Sequence, residues 1–196
     1  SSKRETHREA LRPLLLAALD SPGLLSPADF NMARLSLNSR LRVHLLDPDI
    51  AALEDYLIDN SNLPGPRANL EMIHAFADEV GALCVSPAIS LNRSYIALEW
   101  LLWRLLNRYP PGLFGDDPDS PLQMPQICAE VAYGEWAAAF QHIESGVSTL
   151  LEHANSHLWR IREAAAMGLQ RMLNRAWDST IRRLRRRMLD ASALEW

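Results

Sequence analysis

Apolar residues recur every three to four positions along most of this chain, the spacing of one face of an α-helix. No segment shows the strict alternation of apolar and polar residues that is typical of a half-buried β-strand. Between the turn signals, the pattern predicts about ten helices of about 20 residues each. The sequence therefore predicts an all-α protein, whose short connections favour antiparallel neighbouring helices.

The predicted helices have recognisable start and stop signals. Ser26-Pro27, Asp47-Pro48 and Ser120-Pro121 each place a capping side chain before a proline in the first helical position. The loop from Ser61 to Asn69 is predicted to be a rigid connection, and Gly134 is predicted to separate two helices. The predicted helical segments are 8–19, 30–46 (one helix or two short ones), 47–59, 67–85, 94–109, 121–133, 135–154, 158–174 and 177–190.

The helix predicted from Leu158 has an apolar stripe of small side chains. At 100° per residue, the stripe excludes Arg160 and Arg171 and consists of Ile161, Ala164, Ala165, Gly168 and Met172. A glycine inside a helix costs about 1 kcal/mol relative to alanine. Because Gly168 lies on the apolar stripe, we expect the backbone of a neighbouring helix to come close there.

A weak internal repeat accompanies this helix. Trp159, Trp177 and Trp196 recur at spacings of 18 and 19 residues, and the helix pairs recur about every 40 residues. Such a period belongs to the HEAT and armadillo range of helical repeats. The run Ile161-Arg162-Glu163-Ala164-Ala165-Ala166, followed by Leu169, resembles the second helix of a HEAT repeat.

The resemblance implies a HEAT-like α-solenoid, which is a right-handed stack of antiparallel helix pairs within a single all-helical domain of residues 1–196. Residues 134–196 carry the clearer repeats. Residues 1–133 are either degenerate repeats or an unrelated helical cap. The first residue is not Met and the last helix has no stop signal, so the sequence is compatible with a fragment of a longer chain.

Composition places the chain among globular proteins. Of 196 residues, 48% are apolar and 22% are charged, and no apolar run reaches the length that a membrane span needs. The N-terminus lacks the features of a secretory signal. Cys84 and Cys128 lie far apart in apolar contexts, so we expect two reduced core thiols and a cytoplasmic protein that does not bind membranes.

Charge is distributed unevenly along the chain. Residues 109–158 contain seven acidic side chains and no Lys or Arg, whereas residues 159–196 contain nine Arg and four acidic residues. The net charge of −4 thus combines +5 after residue 158 with −9 before it. Such asymmetry can mark a binding surface, or the two segments can neutralise one another when they pack together.

The last predicted helix is the main candidate for binding. Its predicted buried stripe is Trp177, Ile181, Leu184 and Met188, and its opposite face carries Arg182, Arg183, Arg186 and Arg187. Clustered arginines repel one another, so an anionic partner would stabilise them. That partner is either a phosphate backbone or an acidic protein surface. The alternative is a solvated helix face, or a face paired with acids from another repeat.

Trp100 and Arg104 form a second candidate patch. Their i,i+4 spacing on the side of the helix away from its leucines permits a cation–π contact and an exposed binding surface. The alternative is a helix packed on both sides. Arg162 and Arg171 complete the predicted binding residues, because a groove that gathers them with Arg182 and Arg186 would favour nucleic acid.

No catalytic or metal-binding pattern emerges. His153 and His157 are four residues apart, but Asn155-Ser156 is predicted to end the helix between them, which removes a shared face for a metal. We predict a non-enzymatic scaffold or adaptor that binds a protein partner and needs no cofactor. The alternative is a nucleic-acid-binding protein, since some DNA-alkylation-repair glycosylases are built of HEAT-like repeats. A metabolic enzyme with a buried helical pocket is a third possibility that no residue supports.

Overall fold

The computed structural model describes residues 2–20, 48–86, 93–107, 117 and 119–194. These residues form eight α-helices and a 3-10 turn, Pro121–Gln123, and contain no β-strand. The all-α prediction is confirmed, whereas the predicted segment 30–46 lies outside the described residues. The helices are α1 (Lys3–Asp20), α2 (Pro48–Asp59), α3 (Leu70–Cys84), α4 (Arg93–Leu106), α5 (Met124–Ala139), α6 (Ile143–His153), α7 (Trp159–Arg175) and α8 (Trp177–Leu194).

Side chains cap the start of α3 and the turn that leads into α5. The Ser120 cap was predicted, whereas α3 begins at Leu70 and not at residue 67. The Asn69 side chain accepts a hydrogen bond of 3.2 Å from the backbone N–H of Met72 at the start of α3. The Ser120 hydroxyl accepts one of 3.3 Å from the backbone N–H of Leu122. Each bond satisfies a backbone donor that has no partner within its own helix. The turn that Ser120 caps leads directly into α5.

Gly134 does not end a helix, contrary to the prediction. It lies inside α5, which continues to Ala139 and is followed by a turn in which Gln141 has a φ of 61°. A Cβ atom at Gly134 would lie 2.1 Å from the backbone oxygen of Gly168. The glycine is therefore needed for the close approach of α7, and its weak helix propensity is overridden by tertiary packing.

The predicted apolar stripe of α7 is confirmed, since Ile161, Ala164, Ala165, Gly168 and Met172 are all buried. The predicted close approach at Gly168 is confirmed as well, because a Cβ atom there would lie 2.5 Å from the backbone oxygen of Glu130.

The expectation that Arg160 lies away from the buried side of α7 is wrong. Its guanidinium donates to the Asp119 carboxylate at 2.8 Å and to the Gly65 carbonyl at 3.2 Å. It also lies 4.3 Å from the centre of the Trp159 ring. These contacts compensate for the burial of the charge.

Helix α5 occupies the centre of the fold, and thirteen of its sixteen residues are buried. It packs most extensively against α7 and α3, and it also contacts α4 and α6. Helix α1 packs against α3 and α2, and α8 packs against α6 and α7. The buried apolar residues of the described helices form a single core cluster, to which α5 contributes apolar side chains around most of its circumference.

The two cysteines and the apolar character of the helices also bear on the sequence predictions. Cys84 is half-buried, Cys128 is buried, and both are free thiols. Among the helices in the described ranges, none combines the length and apolar character that crossing a bilayer requires.

Candidate functional site

Trp100 and Arg104 lie inside the protein, so the prediction that they form an exposed patch is wrong. Their exposed fractions are 3% and 2%. The predicted cation–π geometry does exist, with the Arg104 guanidinium carbon 6.0 Å from the centre of the Trp100 ring. Trp100 also stacks on Trp103 at 5.1 Å. Helix α4 is packed on both sides, which removes this pair from any surface-binding role.

Arg171 is the centre of an ion-pair network, not part of an open binding groove. Its guanidinium donates to the Asp78 carboxylate at 2.8 Å and to the Glu135 carboxylate at 3.0 Å. It also donates to His74 Nδ1 at 3.0 Å. Only 17% of the Arg171 side chain is exposed. This single side chain therefore links α3, α5 and α7.

Other arginines extend this network to α1. Arg4 donates to Asp78 at 2.7 Å, and Arg8 donates to the buried Glu79 at 2.8 Å. Burial alone raises the pKa of Asp78, but hydrogen bonds from Arg171 and Arg4 outweigh it and place the pKa below its usual value. Asp78 is therefore a charged group shared by two arginines from two different helices.

The Arg171 bond determines the protonation of His74. Because a guanidinium only donates, Nδ1 of His74 must accept, and the ring proton lies on Nε2. Burial lowers the pKa of His74, and the positive charges of Arg171 and Arg4 lower it further. His74 is thus held in its neutral form.

His7 is held neutral in a similar way where α1 meets α2 and α3. The Asn69 amide nitrogen donates to Nε2 of His7 at 3.2 Å, so Nδ1 carries the proton and donates to the Tyr56 hydroxyl at 2.8 Å. Burial lowers the pKa of His7. Sequence reasoning missed these histidines, since each partner is distant in the chain and only the tertiary fold brings them together.

A buried Glu–His pair joins α5 and α6. Glu130 is fully buried, and its Oε1 accepts a hydrogen bond from Nδ1 of His153. Its Oε2 has no hydrogen-bond partner within the described part of the chain. Burial raises the pKa of Glu130, and the hydrogen bond from His153 raises the pKa of His153. His153 turns inward to this carboxylate, and no described group of three or more potential ligands could hold a metal.

The predicted buried stripe of α8 is correct only in part. Ile181 and Leu184 are half-buried, but Trp177 and Met188 are 60% and 71% exposed. Among the residues of α8 whose burial is described, Thr180 is fully buried, and it faces α7 through a hydrogen bond to the Met172 carbonyl. Helix α8 is therefore rotated about its axis relative to the orientation that its apolar pattern predicts.

Two arginines of α8 contact α6. Arg183 forms an ion pair with Glu144, and Arg187 donates to the Ser148 hydroxyl at 2.6 Å, so both reach back to α6. The prediction that Arg183 lies on the outer face is therefore wrong. Arg182 and Arg186 are exposed as predicted, and Arg182 donates to the Asp178 carbonyl in its own helix.

The seven predicted binding residues do not form one site. Arg162, in the first turn of α7, is exposed, and its side chain donates to the carbonyls of Ser156 and His157 in the loop that precedes the helix. Arg171 belongs to the internal network, and Arg182 and Arg186 lie on α8. The arginines are distributed over separate places, and two of them are tied to carboxylates.

Comparisons with known proteins add no further information about the site. No protein family model, no curated protein and no solved structure matches this chain. The HEAT-like resemblance therefore stays a prediction, and the function is inferred from the geometry of the described residues.

Proposed function

We propose that this protein is a non-enzymatic helical scaffold that binds a protein partner through α8. The main support for this proposal is that large apolar side chains are exposed on this helix. Trp177, Met188 and Leu189 are each at least 60% exposed. They lie beside the exposed Arg185 and Arg186. Aromatic, Met and Arg side chains are enriched in protein–protein interfaces. A surface of this composition is better suited to a partner than to water.

The proposed architecture is a stack of antiparallel helix pairs, with α5–α6 and α7–α8 as consecutive pairs. Contacts of α5 with α7 and of α6 with α8 support it. Glu135 bonds to Arg171 and Arg175, which are 36 and 40 residues further on. These separations match the period of about 40 residues in helix-pair repeats. Helices α1 and α3 extend the same side of the stack, since α1 packs on α3 and α3 on α5.

The internal polar groups support a structural role for the network. Arg4, Arg171 and Arg175 join carboxylates on different helices, as expected of pairs that hold a helical stack together. Burial raises the pKa of the Cys84 thiol to about 12, and it raises that of Cys128 as well. Neither thiol has the reactive character of a nucleophile.

The alternative function, binding of nucleic acid in the manner of HEAT-like DNA glycosylases, has less support. A cradle for a duplex needs several arginines that face one groove, whereas Arg171 and Arg183 are paired with carboxylates. The exposed arginines of the predicted set are Arg162, whose side chain is bonded to loop carbonyls, and Arg182 and Arg186 on α8.

Site-specific photocrosslinking tests the proposed function. We expect a photoreactive residue at Met188 to crosslink a protein in the native cell. The same residue at Ala52, an exposed position of α2, should not. Protease and nuclease digestion of the adduct then separate the two functions. A nuclease-sensitive adduct at Met188, or equal crosslinking at both positions, would contradict the scaffold proposal.

A further inference from the structure

One side of α8 presents an apolar line that the described chain leaves half covered. Trp177, Ile181 and Met188 lie within about 40° of one another around the helix and span about 16 Å along its axis. Trp177 and Met188 at the two ends are 60% and 71% exposed, and Ile181 between them is half-buried. The line has the length of three helical turns, which is enough to pack against another helix.

The polar contacts of α8 with the rest of the fold lie on the side of the helix that faces α6 and α7. Thr180, Arg183 and Arg187 point to the covered side, where they contact Met172, Glu144 and Ser148 in that order. Rotating α8 to bury Trp177 and Met188 would break the bonds of Arg183 and Arg187. Burial of the apolar line against the core would therefore cost these two contacts.

Arginines border the open side of the line. Arg185 lies next to it around the helix, followed by Arg182 and Arg186, and all three are exposed. Asp178 is the acidic side chain described on this side of α8. The open side thus combines an apolar centre with a positively charged rim, and its complement is an apolar line with a negatively charged rim.

We propose that the apolar line of α8 (Trp177, Ile181 and Met188) and its arginine rim (Arg182, Arg185 and Arg186) dock an acidic amphipathic helix of a partner protein. This inference rests on the scaffold function and specifies the chemistry of the partner. A helix with apolar residues every three to four positions fills the line, while flanking Glu or Asp residues meet the arginines. A phosphate backbone would pair with the arginines but would leave Trp177 and Met188 in water.

Peptide binding to the full 196-residue chain tests this proposal. The probe is a fluorescent amphipathic peptide of about 20 residues, long enough to form a helix, with a leucine line flanked by glutamates. Two matched peptides serve as controls: one carries lysines instead of glutamates, and the other has the acidic composition in scrambled order. We expect only the ordered acidic peptide to bind, as measured by fluorescence anisotropy.

Surface variants locate the binding site. Met188→Glu and Arg185→Glu should each weaken binding of the ordered acidic peptide by about tenfold or more. Lys3→Glu, which makes the same change of charge as Arg185→Glu at an exposed position of α1, should leave it unchanged. All three side chains are exposed, so the variants are expected to fold, and circular dichroism checks this.

Each other outcome overturns the proposal. Equal binding of the scrambled peptide would mean that charge alone drives association. Displacement of the acidic peptide by duplex DNA, with a steep dependence on salt, would assign the arginines to a phosphate backbone. If Met188 crosslinks a protein in cells but the acidic peptide does not bind, the scaffold function stands and the partner chemistry is wrong. Failure of both experiments would reject both proposals.

Discussion

Gly134 of α5 and Gly168 of α7 meet at a point where two helix backbones touch. A Cβ atom on Gly134 would lie 2.1 Å from the Gly168 carbonyl oxygen. A Cβ atom on Gly168 would lie 2.5 Å from the Glu130 carbonyl oxygen. Because the obstructing atoms belong to the backbone, neither helix can yield by changing a side-chain rotamer. This contact determines how closely α5 and α7 approach one another.

Gly134→Ala and Gly168→Ala should each destabilise the protein by about 1–3 kcal/mol, the usual cost of overpacking a core. Gly81→Ala is the matched control, because its Cβ would meet side-chain atoms and no backbone: the Glu135 carboxylate at 3.3 Å and the Arg175 guanidinium at 3.7 Å. At Gly81, the gain in helix propensity of up to about 1 kcal/mol should offset the crowding. Urea unfolding midpoints measure the difference. Equal stability of the three variants would refute the backbone contact.

Arg171→Met should destabilise the protein by about 2 kcal/mol, after allowing for the partial solvent exposure of the network. The loss arises because Asp78 and Glu135 keep their negative charges without their shared partner. Arg162→Met, which removes surface bonds to two loop carbonyls, is the control and should cost about 0.5 kcal/mol.

The Arg171→Met variant should also change the pKa of His74. The charge of Arg171 lowers the pKa of His74, so its removal should raise that pKa. NMR titration of the His74 ring protons in the folded variant measures the shift. An unchanged or lower His74 pKa would show that the guanidinium does not contact the ring in solution.

The free energy of unfolding should decrease as the pH falls below 6.5, the ordinary pKa of a histidine in the unfolded chain. His7 and His74 have pKa values below 6.5 in the folded protein. Between the folded-state pKa and the unfolded-state pKa, the unfolded chain binds more protons than the folded chain, so acid favours unfolding. His7→Gln and His74→Gln together should flatten the pH dependence of the thermal midpoint in this range. If the double variant loses stability with acid as steeply as the parent protein, the neutral histidines are not its source.

The Glu130–His153 pair should make the protein less stable as the pH rises, which is opposite to the effect of His7 and His74. Its histidine has a folded-state pKa above 6.5, so its contribution is fully present below pH 6.5 and is lost as the pH rises through the folded pKa. Glu130→Gln removes the charge that favours protonated His153, so the alkaline loss of stability should shrink. Thermal midpoints from pH 6 to 9 compare the variant with the parent protein. An unchanged pH profile would show that the pair is not the source of the alkaline loss of stability.

Several elements of the fold could be predicted from local sequence. The capped start at Ser120 follows from capping chemistry, and the buried stripe of α7 follows from its 3.6-residue period. The close approach at Gly168 follows from a glycine on an apolar face. Each of these features depends on residues within a few positions of one another, so the sequence contains the necessary information.

The candidate site could not be predicted in the same way. The patterns of Trp100 and Arg104 are those of an amphipathic pair, and only the packing around α4 determines that both are buried. Arg183 was expected on the outer face, but Glu144 on α6 draws it to the covered side. A charged side chain pairs with whichever opposite charge the fold brings near it, and that partner lies far away in sequence.

The sequence by itself determined the helical class, most helix boundaries and the apolar stripe of α7, because these depend on local propensity and periodicity. Only the tertiary structure decided that Gly134 is a contact point, that Arg171 joins three helices, and that α8 leaves Trp177 and Met188 exposed. The physical reason is that backbone contacts and ion pairs between helices depend on where distant segments meet, which no local pattern encodes.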